Sequence, residues 1–261
     1  MKWFIEQSPL MQGFLATLFT YGVTVAGAAA VFAVRCVNKK IMDVMMGFSA
    51  GVMIAASYWS LLEPALTLAE DLDKNAALIA ACGFLCGGVF IVLSDMLLEK
   101  KMFTDCRGKG FKRCVLLTTA VTMHNIPEGL AIGVAFGCAG IYGSKETLIA
   151  AGMLTVGIGI QNFPEGICVA MPLRREGISR MRSFFAGQFS GMVEPIAGVI
   201  GVLFALTARS ALPTALSFSA GAMISVVCSE LIPESFQDNK HLAALGVMVG
   251  FIIMMVLDVS F

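Results

Sequence analysis

Long apolar segments, separated by short polar stretches, occupy most of the chain. A helix needs roughly 20 residues to cross the hydrocarbon core of a bilayer, and eight of the apolar segments reach about that length. They lie at about residues 10–34, 43–66, 76–98, 114–137, 147–172, 184–207, 213–235 and 240–260. The pattern therefore predicts an all-α integral membrane protein with eight transmembrane helices, in which residues 1–261 form a single transmembrane transporter domain.

The composition agrees with a membrane environment. Hydrophobic residues make up 57% of the 261 residues and charged residues only 14%, whereas soluble domains contain about 25% charged residues. The formal net charge is zero, which argues against nucleic acid as a partner because binding to nucleic acid depends on basic surfaces. The lipid membrane is therefore the expected surrounding of nearly the whole chain.

Basic residues are distributed unevenly between the two sides of the predicted helices. The loops that follow helices 1, 3, 5 and 7 carry 14 lysines and arginines, whereas the opposite side carries four. Because cytosolic loops are enriched in these residues, the imbalance predicts a multi-pass protein of the cell membrane. Both of its termini are expected on the extracellular or periplasmic side.

Two six-residue motifs interrupt predicted helices 4 and 5: His124–Gly129 and Gln161–Gly166. Each reads polar-Asn-apolar-Pro-Glu-Gly, and each places a carboxylate at membrane depth, where an unpartnered charge is costly. The proline lacks the N–H group that would bond the carbonyl four residues earlier, so each motif frees one backbone oxygen. The glycine lets a neighbouring backbone approach closely.

The spacing within each motif brings its polar side chains together. Residues four apart share a helix face, so His124 lies over Glu128 and Gln161 lies over Glu165. Two further polar residues precede the same glutamates by three positions: Asn125 and Asn162. Side by side, the two helices would surround one point with these groups and form a metal site. The alternative is a pair of Pro-kinked helices whose polar residues only hold the bundle together, and the duplication of the motif favours the metal site.

A third carboxylate at membrane depth, Glu194, precedes Pro195 in predicted helix 6. Apart from Lys240 at the loop edge of the last span, the predicted spans offer no lysine or arginine to pair with Glu128, Glu165 and Glu194, so a divalent cation is needed to offset their charge. Imidazole and oxygen ligands together suit Zn²⁺, Fe²⁺ and neighbouring first-row metals better than Mg²⁺ or Ca²⁺. Met53 is a candidate soft ligand, although a packing role is the alternative in a chain with 17 methionines.

An internal repeat relates the two ends of the chain. The segment Phe48–Ile54 in predicted helix 2 matches Phe218–Ile224 in predicted helix 7 at six of seven positions. The two helices cross the membrane in opposite directions, and inverted repeats around a midplane site are typical of secondary transporters. The sequence thus predicts an inverted repeat of helices 1–3 and 6–8 around the central helices 4 and 5.

Other polar and sulfur-containing residues leave two interpretations open. Glu230 and Glu234, near the predicted cytosolic end of helix 7, could form an exit station for a cation or an interfacial helix end. Most of the eight cysteines lie in apolar segments, where packing is the expected role: Cys82, Cys86, Cys114, Cys138, Cys168 and Cys228. Cys82 and Cys86 share a helix face and could instead bind a soft metal.

The paired motifs resemble the signature of the ZIP (Zrt-/Irt-like) metal-ion transporters, and most of all the GufA-type subfamily. The resemblance implies a binuclear centre between helices 4 and 5, in which Glu128 and Glu165 are shared. The transport site would further contain His124, Gln161 and Met53, and the adjoining site Asn125, Asn162 and Glu194. It also implies pairing as homodimers and movement of helices 1, 4, 5 and 6 as a unit.

Two residues depart from the pattern of some relatives. Gln161 stands where some relatives have a second histidine, and Asn162 stands where some have aspartate. The resemblance implies that these departures weaken or retune the site.

The residues and the resemblance together predict an importer of divalent transition-metal ions rather than an enzyme, with no catalytic cofactor. Zinc is the first expectation, followed by iron, manganese and cadmium, carried into the cytosol by alternating access. A metal exporter or proton/metal exchanger would use similar ligands. An intramembrane metalloprotease would need two histidines in an H-E-x-x-H pattern, and His124 is the only histidine at membrane depth, since His241 lies at a loop edge. A scaffold protein would gain nothing from costly buried carboxylates.

Overall fold

The structure of the protein is a computed structural model that describes residues 2–33, 38–102 and 109–260. Within these ranges, the side chains of His124 and of residues 98–102 and 109–117, with a few others, are not described. The described chain contains helices and turns and no strand. The prediction of an all-helical protein is confirmed for these residues.

The helices follow one another with short connections. In chain order they are α1 (Pro9–Ala28), α2 (Lys39–Ala56, continued by a π-helical turn Ser57–Leu62 and by Glu63–Asp71), α3 (Ala76–Met102), α4 (Lys109–Tyr142), α5 (Lys145–Arg175), α6 (Arg180–Gly191 and Val193–Thr207), α7 (Leu212–Val226, a π-helical turn Val227–Leu231 and Ile232–Ser235) and α8 (Lys240–Ser260). Three short elements are the helices Lys2–Ile5 and Ala30–Ala33 and the 3₁₀ turn Arg209–Ala211.

Seven helical segments of the described ranges are long and apolar enough to cross a membrane. They are Pro9–Ala33, Lys39–Asp71, Ala76–Leu97, Lys145–Arg174, Arg180–Thr207, Leu212–Ser235 and Lys240–Ser260. The helix α4 contains 34 residues and is not among these seven. The protein is therefore a multi-pass membrane protein, as its hydropathy predicts.

Several helices extend beyond the predicted apolar segments. The second helix ends at Asp71 rather than near residue 66, and α5 begins at Lys145 rather than near residue 147. Hydropathy marks only the apolar part of a helix, whereas its first turn is set by a capping side chain that accepts a backbone N–H. Ser144 caps α5 in this way, accepting a hydrogen bond from Thr147 N at 3.1 Å.

The helices α2 and α7 share an unusual feature, a π-helical turn ahead of a proline. The N–H group of Glu63, which precedes Pro64, bonds the carbonyl of Tyr58 five residues back. Ile232, which precedes Pro233, bonds Val227 in the same way. A π turn contains one extra residue, so the helix passes the proline, which cannot donate, without ending.

Glycines bring pairs of helices into backbone contact. A Cβ atom added at Gly51 of α2 would lie 2.0 Å from the carbonyl oxygen of Val247 in α8. One added at Gly221 of α7 would lie 1.9 Å from the carbonyl oxygen of Phe84 in α3. Only glycine permits such close packing of membrane helices, and α2 with α8 and α7 with α3 are therefore two of the tight helix pairs.

A large apolar cluster fills the interior, and the outer helices present apolar side chains to the surroundings. Met53, Ile132, Ile158 and Met223 are wholly buried members of the cluster. The exposed side chains of α3 and α8 are mainly large and apolar, which is the pattern of a surface that contacts lipid.

A methyl group at Gly51 should weaken the α2–α8 contact. Because the backbones would have to separate, Gly51→Ala should lower the free energy of unfolding by about 1–3 kcal/mol, seen as a lower midpoint of thermal unfolding in detergent. At Gly22 an added Cβ meets no atom within 4 Å, so the matched variant Gly22→Ala should keep the midpoint. Equal midpoints for the two variants would contradict the close contact.

Candidate metal centre

The polar residues of the two motifs lie in the interior, in helices that continue through the motif prolines. Pro127 lies inside α4 and Pro164 inside α5. The predicted polar ligands with described side chains are all at most 4% exposed: Asn125, Glu128, Gln161, Asn162, Glu165 and Glu194. His124 lies in α4, one turn before Glu128, and its side chain is outside the described part of the structure.

The helices α4 and α5 meet through their motifs. The side-chain amide of Gln161 donates a hydrogen bond from Nε2 to Glu128 Oε1 at 2.5 Å. Glu128 also lies close enough to Glu165 and Glu194 for their negative charges to repel each other. The three carboxylates thus belong to one electrostatic site at the centre of the bundle.

Glu194 of α6 is held by neutral donors from two other helices. Asn162 Nδ2 donates to both of its carboxylate oxygens, at 2.9 and 3.0 Å. From α1, Thr20 donates through its hydroxyl at 2.5 Å and Thr24 at 3.4 Å. Both oxygens of this carboxylate are therefore satisfied without a cation.

The motif glycines let α1 and α6 approach the centre. A Cβ added at Gly129 would lie 2.5 Å from the carbonyl oxygen of Glu194, and one added at Gly166 would lie 2.2 Å from the carbonyl oxygen of Thr24. Close approach of a neighbouring backbone is the role that the sequence predicted for these glycines. The approach places Glu194 and the threonines of α1 within reach of the motif side chains.

Two further hydrogen bonds connect the motifs to their surroundings. Asn125 Nδ2 donates to the backbone carbonyl of Ser190 in α6 at 2.7 Å. Ser49 of α2 donates through its hydroxyl to the backbone carbonyl of Gln161 at 3.2 Å. The amide nitrogen of Asn125 therefore bonds α6, whereas its oxygen accepts no hydrogen bond from the described side chains.

Five oxygen atoms of the motif residues are buried without a hydrogen-bond partner. Among the described side chains, eight buried polar atoms lack a partner, and five of these belong to the predicted ligands. They are Asn125 Oδ1, Glu128 Oε2, Gln161 Oε1, Asn162 Oδ1 and Glu165 Oε2. Because an unsatisfied buried polar group is costly, a concentration of acceptors at one site indicates a place where a cation binds.

Met53 is wholly buried and belongs to the apolar cluster, one helical turn beyond Ser49 on α2. Among the described side chains, no group of three or more His, Cys, Asp and Glu is arranged to hold one metal ion. The amide oxygens of Asn and Gln are not part of such a group, and they supply three of the five free acceptors.

Sequence reasoning missed Thr20 and Thr24. Both are buried in α1 and contact Glu194. The available signal was a series of threonines at helical spacing in an otherwise apolar segment, Thr17, Thr20 and Thr24. Such threonines also bond carbonyls of their own helix, as Thr17 does with Gly13, so the spacing alone does not identify a partner.

A large cavity lies at the helix ends that are predicted to face the extracellular or periplasmic side. It has a volume of about 550 Å³. Its lining includes three carboxylates, Glu63, Asp71 and Asp258, the partly buried Ala135 and the buried Leu154. Ala135 lies seven residues from Glu128 along α4, and Leu154 lies seven residues from Gln161 along α5. Seven residues correspond to roughly 10 Å of helix.

Membrane helices that surround buried carboxylates, some of whose oxygens lack a described hydrogen-bond partner, are typical of multi-pass membrane proteins that bind ions. A family model described as "ZIP Zinc transporter" matches residues 108–258. Zinc transporter ZIP11 of Xenopus tropicalis is 38% identical over 97% of this chain and 98% of its own length. Zinc transporter GufA of Myxococcus xanthus is 34% identical over 95% and 98%, and zinc transporter ZIPB of Bordetella bronchiseptica is 32% identical over 92% and 78%.

The chain belongs to the ZIP zinc transporter family. Three predictions are confirmed: the chain belongs to this family, it is a divalent metal-ion transporter, and it is not an enzyme.

The hydroxyl of Thr20 should contribute to stability through Glu194. Thr20→Val removes a donor from a buried carboxylate, which should lower the free energy of unfolding by about 1–3 kcal/mol. The matched variant is Thr155→Val, because the Thr155 hydroxyl is buried but donates only to Ala151 of its own helix. Thermal unfolding in detergent should show a clearly larger loss for Thr20→Val, and a similar loss in both variants would contradict this contribution.

Proposed function

We propose that this chain imports zinc and related divalent ions into the cytosol by alternating access through a binuclear centre between α4 and α5. The observation that carries the proposal is the set of five buried, unpartnered oxygens of the two motifs. A cation is the partner that satisfies several acceptors at once and offsets carboxylate charge. The names of the relatives as zinc transporters make zinc the first candidate.

The transport site consists of His124, Glu128, Gln161, Glu165 and Met53. The free oxygens Glu128 Oε2 and Glu165 Oε2 are its anionic ligands. Gln161 now directs its nitrogen toward Glu128, and a half-turn of the amide presents its oxygen to a cation instead. Met53 is the proposed soft ligand from α2, one helical turn beyond Ser49, which contacts the carbonyl of Gln161.

The adjoining site consists of Asn125, Asn162 and Glu194 with the shared Glu128 and Glu165. Asn125 Oδ1 and Asn162 Oδ1 are its free acceptors, while Glu194 is held by hydrogen bonds. With three ionised carboxylates, the two sites together carry a net charge of −1 when one divalent ion is bound. With two divalent ions bound, the net charge is +1.

The protein is proposed to have eight transmembrane helices in an inverted repeat, with α4 as the eighth crossing and both termini outside. The most extensive helix contacts are α2 with α8, α7 with α3, α6 with α4 and α1 with α5. If α1–α3 are exchanged with α6–α8, and α4 with α5, the pair α2–α8 becomes the pair α7–α3. In the same way, the pair α6–α4 becomes the pair α1–α5. The π turns of α2 and α7 correspond under the same exchange.

Alternating access is supported by the grouping of these contacts. The helices α1, α4, α5 and α6 contact one another extensively, and their contacts with the other four helices are fewer. A group with a self-contained interior can slide as one body. The outer cavity, with the carboxylates Glu63, Asp71 and Asp258, is the proposed entrance for cations, and the protein is proposed to pair as a homodimer.

The direction and the metal can be established in proteoliposomes of known orientation. Uptake of zinc should be strongest, with iron, manganese and cadmium as competitors, and flux should run from the outer face inward. Net uptake of metal into inside-out vesicles, or a requirement for an opposing proton gradient, would identify a metal exporter or a proton/metal exchanger instead.

Removal of either shared glutamate should abolish transport. Glu128→Ala and Glu165→Ala each take away an anionic ligand of both sites, so uptake of radiolabelled zinc into proteoliposomes should fall to background. Glu176→Ala is the control, since this glutamate is exposed beyond the end of α5. Normal uptake by both central variants, with correct folding shown by their elution in detergent, would overturn the ligand assignment.

Acid should weaken zinc binding from the outer side. Histidine and carboxylate ligands bind a metal only when deprotonated, so protons compete with zinc and the KM for uptake should rise as the external pH falls. Initial uptake rates should be measured with the internal pH clamped. A KM that stays constant from neutral to acidic external buffer would contradict the proposed ligands.

A further inference from the structure

A second, much smaller cavity lies directly beside the metal centre. It has a volume of about 10 Å³, which is the room that a single water molecule requires. It is bounded by α2, α4, α5 and the end of α7. Three carboxylates and two sulfur-containing side chains line it: Glu165, Glu230, Glu234, Met46 and Cys168.

Cys168 extends the line of motif residues along α5. Gln161, Glu165 and Cys168 follow one another at spacings of four and three residues, so they share one face of the helix. Cys168 lies one turn beyond Glu165 toward the end of α5 that the sequence places in the cytosol, and it is only 3% exposed. A cation that leaves Glu165 along this face therefore meets the thiol next.

The same cavity contains a buried acceptor without a partner. Glu165 lines it, is 4% exposed, and its Oε2 atom has no hydrogen-bond partner among the side chains that the structure describes. A carboxylate oxygen, a thiol and a thioether around a space for one small guest make a mixed sulfur and oxygen ligand set. Such a set favours zinc and cadmium over manganese, which binds mainly to oxygen.

We propose that this cavity is a transfer site in which Cys168, with Glu165 and assisted by Met46, binds a thiophilic cation on its way from the centre to the cytosol. The proposal rests on the proposed direction of transport and assigns Cys168 a part in metal selectivity. A buried cysteine commonly serves only in packing. The cavity beside Cys168 and the unsatisfied Glu165 oxygen distinguish it from a cysteine with that role.

Transport selectivity gives the first test. Cys168→Ser keeps the size of the side chain but removes the sulfur, and should lower the ratio of cadmium to manganese uptake by about tenfold, the lower range for loss of a group that supports a metal site. Cys228→Ser is the control, because Cys228 is exposed and lines neither of the two cavities. An unchanged ratio in Cys168→Ser would overturn the proposal.

Direct observation of the ligand gives a second test that does not depend on folding of a variant. X-ray absorption at the cadmium edge, with cadmium bound to the unmodified protein, should show a thiolate sulfur neighbour, which lies closer to the metal than a methionine thioether does, and Cys168→Ser should remove it. No thiolate neighbour in the unmodified protein, or one that persists in Cys168→Ser, would overturn the proposal. Loss of zinc uptake in Glu128→Ala together with either result would leave the proposed function intact, whereas normal uptake in Glu128→Ala and Glu165→Ala would contradict the proposed function itself.

Discussion

The constraint on which the rest of the structure depends is the burial of three carboxylates inside a bundle of membrane helices. Glu128, Glu165 and Glu194 repel one another, and none of them has a basic partner among the described side chains. Acids in such surroundings are tolerated only where other groups meet their charge. Glu194 obtains neutral donors from α1 and α5, whereas one oxygen each of Glu128 and Glu165 remains free. The centre is thus divided into a part that is satisfied by the protein and a part that the proposed cation would complete.

The local sequence around these acids serves the same requirement at the level of the backbone. Glycine follows each motif glutamate, and at both positions a neighbouring backbone lies where a Cβ atom would be. The carbonyl of Glu194 occupies that space beside Gly129, and the carbonyl of Thr24 occupies it beside Gly166. Any larger residue would push α6 or α1 outward and would separate Glu194 from its donors. The order Pro-Glu-Gly therefore combines the charge with the close packing that the charge requires.

Hydropathy and motif spacing predicted the helices and the residues of the centre, but not how those residues are paired. Spacing placed Gln161 over Glu165 on one helix, whereas its amide in the structure bonds Glu128 on the neighbouring helix. A periodicity identifies a helix face, and the choice of partner depends on rotamers and on the helix opposite. Thr20 and Thr24 gave no signal because a threonine hydroxyl can bond its own helix. The π turns before Pro64 and Pro233 were not predicted either, since a helix can pass a proline in several ways.

The amides at positions 161 and 162 give the centre a property that charged ligands would lack. An amide has donors at one end and an acceptor at the other. In the structure, the donor ends of Gln161 and Asn162 meet Glu128 and Glu194, which offsets the repulsion among the acids when no cation is bound. In the proposed transport site, rotation of the amides would present their oxygens to an arriving ion, so the same two residues would serve both states. An aspartate in place of Asn162 would add a fourth negative charge and remove the donor that now contacts both oxygens of Glu194. If these residues bind the ion as proposed, the amides give up some strength of metal binding and stabilise the empty centre, and a transporter that must release its ion depends on such an empty state.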